Sequence, residues 1–200
     1  MLNNPVRLVD PDGRTTLVFW VTGPGINHSY LSSYSPRGEI TLSVKGDYPG
    51  ADVTLGDGTV GLRAALKYVE SGHTVTMFEY SLTDQQENTM FDYLQNLPHG
   101  GVSLDHPQAF VNEAFPICSD HVSRAFAAAS VDISSWSPGA VARDLLADDN
   151  AAPIAVYEPG KESERMLGGL ISAIEVSDPL QVVSENVVRV DGVLKFVRPE

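Results

Sequence analysis

"INHSYLSSYSPRGEITLSVKG", residues 26–46, decides how this sequence folds. Two runs rich in β-branched and aromatic residues flank Ser35-Pro36-Arg37-Gly38. Pro and Gly at those positions predict a turn, and the runs on either side predict the two strands of a hairpin. His28 lies inside the first strand, between Asn27 and Ser29. A polar ring in mid-strand must be satisfied somehow. Hydrogen bonding within the core is its plain use, and proton transfer is the alternative.

Working outward, "TTLVFWVTG", Thr15–Gly23, reads as a buried strand. The Gly- and Asp-rich stretch Tyr48–Gly61 reads as a loop. "LRAALKYVES" predicts a short helix closed by Gly72, and "HTVTMFEYSL" a strand. "TDQQENTMFDYLQNL" predicts a helix capped by Thr83, with Gln86 three residues on in a capping-box pattern and Met90, Phe91 and Leu94 as its apolar face. A further helix is expected from Cys118 to about Ala129, with Val122, Ala125, Phe126 and Ala129 on one stripe. "SPGAVARDLLAD" predicts another, with Ser137 as cap and Pro138 at its first position. From Pro153 onward, "PIAVYEP", "GGLISAIEVSD", "LQVVSENVVRV" and "GVLKFVRPE" look like strands. The pattern is α+β.

At 200 residues the chain makes one domain with room for an appendage, and it can bury a core without staples. It carries 26 Asp+Glu against 13 Lys+Arg, a net charge of -13, which argues against nucleic acid or an anionic membrane as a bulk-charge partner. The single cysteine excludes a disulfide framework, and cysteine-based zinc sites need several ligands, so no metal or cofactor is expected. No apolar run reaches the length of a membrane span, and no signal peptide is expected at the N-terminus.

That cysteine, Cys118, sits in "NEAFPICSDHVSRAF", residues 112–126, at the first turn of its predicted helix. A thiolate there meets the positive end of the helix dipole and unpaired backbone N–H groups. The placement is expected to lower the thiol pKa and to supply oxyanion donors. Inert packing is the commoner use of a lone cysteine. A thiol nucleophile also needs a base. His99 and His106 lie in a Gly/Pro-rich stretch and are simply solvated there. His73 follows a helix-ending glycine and serves as a cap. His121 is three residues from Cys118 on the same helix, and His28 is on the hairpin strand.

A resemblance favours His28. A histidine strand, a hairpin, a helix and then a cysteine opening a later helix resemble the permuted papain-like families, which include the permuted NlpC-type hydrolases and the lecithin:retinol acyltransferase-like enzymes. "NHSYLSSYSPRGEI" resembles their hairpin and "ICSDHVSRAF" their nucleophile helix. The resemblance implies a permuted papain-like fold over residues 15–150, an antiparallel sheet packed against the nucleophile helix, with 151–200 as a β-rich extension of the same domain. It implies Cys118 as nucleophile and His28 as base. Glu39 is the nearest match to the third polar residue of those families, although a tight turn would set His28 nearer Ser43. Ile117 stands where the acyltransferase-like enzymes place an Asn, which favours amide over lipid ester substrates.

A second resemblance concerns the start of the chain. "NNPVRLVDPDGR", residues 3–14, resembles the segment that closes the β-cage of rearrangement-hotspot (Rhs) repeat proteins, after which a variable toxin domain follows. It implies that residues 1–14 are a cage remnant and the rest a toxin delivered into a target cell by its parent protein and secretion machinery, with a cognate immunity protein as partner. The combined expectation is an antibacterial cysteine hydrolase of the amidase, peptidase or deamidase type. The alternatives are an ADP-ribosyltransferase toxin, a thiol-dependent lipid acyltransferase or esterase, and a non-enzymatic binding module.

Overall fold

The structure is a computed structural model that describes residues 15–35, 38–44, 51–56, 58–97, 118–133, 137–176, 182–184, 187–190 and 193–196. Residues 1–14, expected to be a cage remnant, the hairpin tip at Pro36–Arg37 and both His99 and His106 lie outside the described residues. The fold is mixed α+β. Strands β1 (Thr15–Gly23), β2 (Ile26–Ser35), β3 (Gly38–Val44), β4 (Ala51–Gly56), β5 (Thr74–Tyr80) and β6 (Ala151–Tyr157) form one sheet in the order β4-β3-β2-β1-β5-β6. Every neighbouring pair in it is antiparallel.

β1 is central and buried on both faces, so its sequence is nearly continuous in apolar residues instead of alternating. Leu17, Phe19 and Val21 point to one side; Val18 points to the other. On the first side lie α1 (Val60–Glu70) and α5 (Lys161–Val176), which contribute Leu62, Ala65, Val69, Leu167 and Ile171. On the second side lie α2 (Asp84–Gln95), α3 (Cys118–Ala128) and α4 (Pro138–Ala147), which bring Phe91, Leu94, Val122, Phe126 and Leu145 onto Leu31 and Phe78. Truncating Phe19, stacked on Tyr30 with ring centroids 4.5 Å apart, or Phe126 would cost about 3–5 kcal/mol.

Local signals set the helix ends. Thr83 and Gln86 form the expected capping box on α2. Ser137 caps α4 through the Ala140 N–H, with Pro138 in the first turn. The β1–β2 hairpin turns at Pro24-Gly25, where Gly25 takes φ +76°, a backbone state that suits glycine.

Two expectations change. The Tyr48–Gly61 loop contains β4, whose Val53 is buried in the core through long-range pairing with β3. Within "GGLISAIEVSD", Gly168–Val176 is not a strand but the C-terminal part of α5. Leu167, Leu170, Ile171 and Ile174 recur at helical spacing and pack on α1, and this tertiary contact overrides the strand propensity of the β-branched residues. The sheet also continues past residue 150, since β6 lies beside β5. Short strands β7 (Val182–Ser184), β8 (Val187–Val190) and β9 (Val193–Phe196) form a second antiparallel sheet. Among the described residues, no helix is long and apolar enough to cross a membrane.

Candidate functional site

β2 pairs with β1 from Ile26 to Tyr34, but with β3 only from Leu31 to Ser35. Past Leu42, β3 stays with β4 and leaves β2: Ser43 faces Asp52 and Val44 faces Ala51. Beside the vacated edge lies the N-terminus of α3. The Ser29 main-chain N–H, which β3 would otherwise receive, donates to Cys118 Sγ across 3.4 Å.

The half-buried thiol also faces the first amides of α3, those of Cys118 and Ser119. These and the Ser29 N–H pull its pKa down, as does the nearby Ser29 hydroxyl, although that hydroxyl makes no hydrogen bond of normal geometry. Burial outweighs them all and pushes the thiol above its ordinary value. The expected depression is therefore reversed: the helix terminus is present, but desolvation of the charged sulfur is the larger effect.

His28 faces the opposite side of β2 from Ser29. Its ring lies 5.8 Å from that of Tyr30 and 5.8 Å from that of Tyr68 on α1. Burial holds its pKa down at about 4, so the ring is neutral at pH 7. Its Nε2 is buried without a hydrogen-bond partner. No hydrogen bond joins it to Cys118. Tyr68 borders both groups: burial first, and then the Cys118 charge, raise its phenol pKa. Tyr68 thus packs near the imidazole and feels the charge of the thiolate.

Glu39 lies elsewhere. It pairs across from Tyr34, six residues along β2 from His28, which is about 20 Å at strand rise. Its buried carboxylate accepts from Thr41 Oγ1 at 2.9 Å and from the N–H groups of Gly58, Val60 and Gly61 at 2.9, 3.2 and 3.1 Å. Glu39 is therefore an anion set on the N-terminus of α1 and does not touch His28. Gly56 and Gly61 make this approach feasible, since a Cβ at Gly56 would collide with the Glu39 carboxylate and one at Gly61 with the Ser32 hydroxyl.

The other histidines divide as follows. His73 closes α1 through its main-chain N–H and its Nδ1, both on the Tyr68 carbonyl. His121 is buried on α3 with Nε2 unpaired, its pKa lowered by burial and by the Arg124 charge. Ser29 and Tyr68 did not stand out in the sequence. Ser29 is marked only by its place beside His28, and no sequence pattern marks Tyr68. Among the described residues, no group of three or more His, Cys, Asp or Glu could hold a metal ion. Comparison of the chain with protein-family models, curated proteins and solved structures gives no match.

Proposed function

We propose that Cys118 is the nucleophile of a cysteine hydrolase in a permuted papain-like fold, with His28 as its base. The observation that carries this reading is the position of the sulfur. It sits at the first turn of a helix, held by the Ser29 N–H, one residue along the chain from a buried neutral imidazole whose Nε2 is unpaired. A raised thiol and a neutral imidazole, carried on either side of the Ser29 N–H contact, would form a pair that moves its proton during attack and does not store an ion pair.

In this mechanism His28 takes the Cys118 proton as the sulfur adds to an amide carbonyl. The main-chain N–H groups of Ser29, Cys118 and Ser119 converge near the sulfur and stabilise the oxyanion. The C–N bond breaks, His28 returns the proton to the leaving amine, and a thioester remains. Water then adds with His28 again as base, giving the acid and the free thiol. Because Nε2 is unbonded, no hydrogen bond is lost when the ring turns toward the sulfur.

The biological setting follows from the cage-like segment 3–14: a toxin delivered into a competing bacterium and neutralised in its producer by an immunity protein. The test is expression of the chain in bacteria, in the cytosol and with export to the periplasm, followed by mass analysis of cell-wall fragments and proteins. Wild type should arrest growth in one compartment and leave cleaved amides. Cys118→Ala and His28→Ala should do neither, and a toxic Cys118→Ala variant would overturn the reading.

A further inference from the structure

Ser29 meets the Cys118 sulfur with more than its main-chain N–H. Its side chain leaves β2 on the same face as Leu31, the face that α3 covers. Ser29 is 1% exposed, and its Oγ is buried with no hydrogen-bond partner. The hydroxyl is close enough to act on the sulfur: burial raises the thiol pKa, and the Ser29 N–H and then the Ser29 hydroxyl pull against it. Ser33 supplies a contrast. It faces the same way from the same strand, is fully buried, and has an Oγ that is also unpartnered. It lies about 13 Å along the strand from Ser29, between Thr16 and Ile40 and away from the sulfur.

A buried hydroxyl without a partner costs free energy that an alanine would not. At Ser29 the neighbouring sulfur gives that hydroxyl a use. A thiol is a weak acceptor, whereas an anion accepts charge-assisted bonds that are roughly twice as strong as neutral ones. A serine O–H also turns to suit its partner. We propose that Ser29 is a further catalytic residue, whose hydroxyl donates to the Cys118 sulfur while that sulfur is an anion. This rests on the thiol chemistry proposed above and adds a residue to it. The sulfur gives its proton to His28, and Ser29 keeps its own. The O–H···S bond is released when the sulfur adds to the carbonyl carbon and becomes neutral. Such a bond exists only while charge is present, so it eases ionisation without tightening the resting site.

The test follows iodoacetamide labelling of Cys118 against pH in the full chain, in wild type, Ser29→Ala and Ser33→Ala. The other titratable groups around the sulfur are Tyr68 of α1, which feels its charge, His28 of β2, and Asp120 and His121 of α3; none of them is altered in either variant. Ser29→Ala should raise the labelling midpoint by about one pH unit and slow labelling at pH 7 about tenfold, as loss of one charge-assisted bond would give. Above both midpoints its rate should match wild type. It should also be no less stable in urea, because the hydroxyl it removes has no partner in the resting protein. Ser33→Ala should match wild type in midpoint and rate. An unchanged midpoint in Ser29→Ala, an equal shift in Ser33→Ala, or a shift accompanied by lost stability overturns the role of Ser29. Growth arrest separates this from the wider reading. An inactive Cys118→Ala with no midpoint shift in Ser29→Ala removes Ser29 alone, whereas a toxic Cys118→Ala removes the hydrolase and with it any catalytic role for Ser29.

Discussion

The main-chain N–H of Ser29 donates to the Sγ of Cys118 across 3.4 Å, joining residues 89 positions apart in the chain. The bond exists because β3 leaves β2 after Leu42 and because α3 starts beside the gap. It fixes the sulfur within the plane of the sheet instead of on either face. Tyr68 and His28 lie on the side of α1, with ring centroids 5.8 Å apart, while the body of α3 packs on the other side of the sheet.

This placement sets the reactivity of the thiol. Burial outweighs the amides that face it, so the sulfur is protonated at neutral pH. Alkylation of folded protein by iodoacetamide should be slower at pH 7 than that of a model thiol. The rate should climb with pH through a midpoint above the usual thiol range of about 8.5. A midpoint below that range, followed by mass spectrometry of the Cys118 peptide, would show that the helix terminus prevails over burial.

Protonation of His28 should oppose folding. Its pKa is about 4 in the folded chain against 6.5 when exposed, so the unfolded chain binds the extra proton first as pH falls. The neutral ring favours folding fully above pH 6.5. That contribution is lost between pH 6.5 and 4, amounting to roughly 3 kcal/mol as an upper figure. Urea unfolding of wild type should weaken over this window, and His28→Gln should weaken less by most of that amount. His121, lowered in the same direction, leaves part of the slope in the variant. Parallel slopes for the two proteins would contradict the burial of His28.

Glu39 should behave as a structural anion. Four donors converge on its carboxylate, and Glu39→Gln would turn an amide –NH₂ toward one or more of them. The expected cost is about 2–4 kcal/mol of unfolding free energy, measured by urea denaturation. Because α1 carries Tyr68, activity should fall through misplacement of that ring and be partly restored at low temperature. A stable Glu39→Gln protein with a shifted pH profile of activity would instead return Glu39 to the chemistry.

The Thr83–Gln86 box and the Ser137–Pro138 start were legible because each is a contact between residues at most three apart. The hairpin was legible for the same reason. α5 was not, because its glycines and β-branched residues mimic a strand unless the 167, 170, 171, 174 spacing is weighed first. The role of Glu39 was hidden as well, since its partners on α1 are about twenty residues away and are found only when β3 pairs with β4. The position of Cys118 at a helix start could be read, but its depth could not. Depth depends on where a neighbouring strand stops pairing, and no local pattern records that.

The α5 glycines give a further check on that helix. A Cβ at Gly168 or Gly169 would meet nothing within 4 Å, and neither takes a positive φ. Gly168→Ala and Gly169→Ala should each stabilise the protein by about 0.5–1 kcal/mol, because alanine loses less backbone freedom in a helix. In an extended strand the same changes would lack that gain, so unchanged or lowered stability in urea would restore the strand reading.

If Cys118 and His28 work as one unit, their variants should not add. His28→Ala and Cys118→Ala should each abolish growth arrest, and the double variant should be no worse than either. Growth arrest alone does not separate a lost base from a disturbed site, so the pH dependence of labelling supplies the second readout. A base is needed only while the thiol holds its proton. His28→Ala should therefore slow iodoacetamide labelling of Cys118 at pH 7 and match wild type once the pH exceeds the thiol pKa. A defect that persists at high pH would mean that the substitution has moved the sulfur and has not removed a base. An active His28→Ala protein alongside an inactive His121→Ala protein would transfer the role to α3, where His121 is also buried with its Nε2 unpaired.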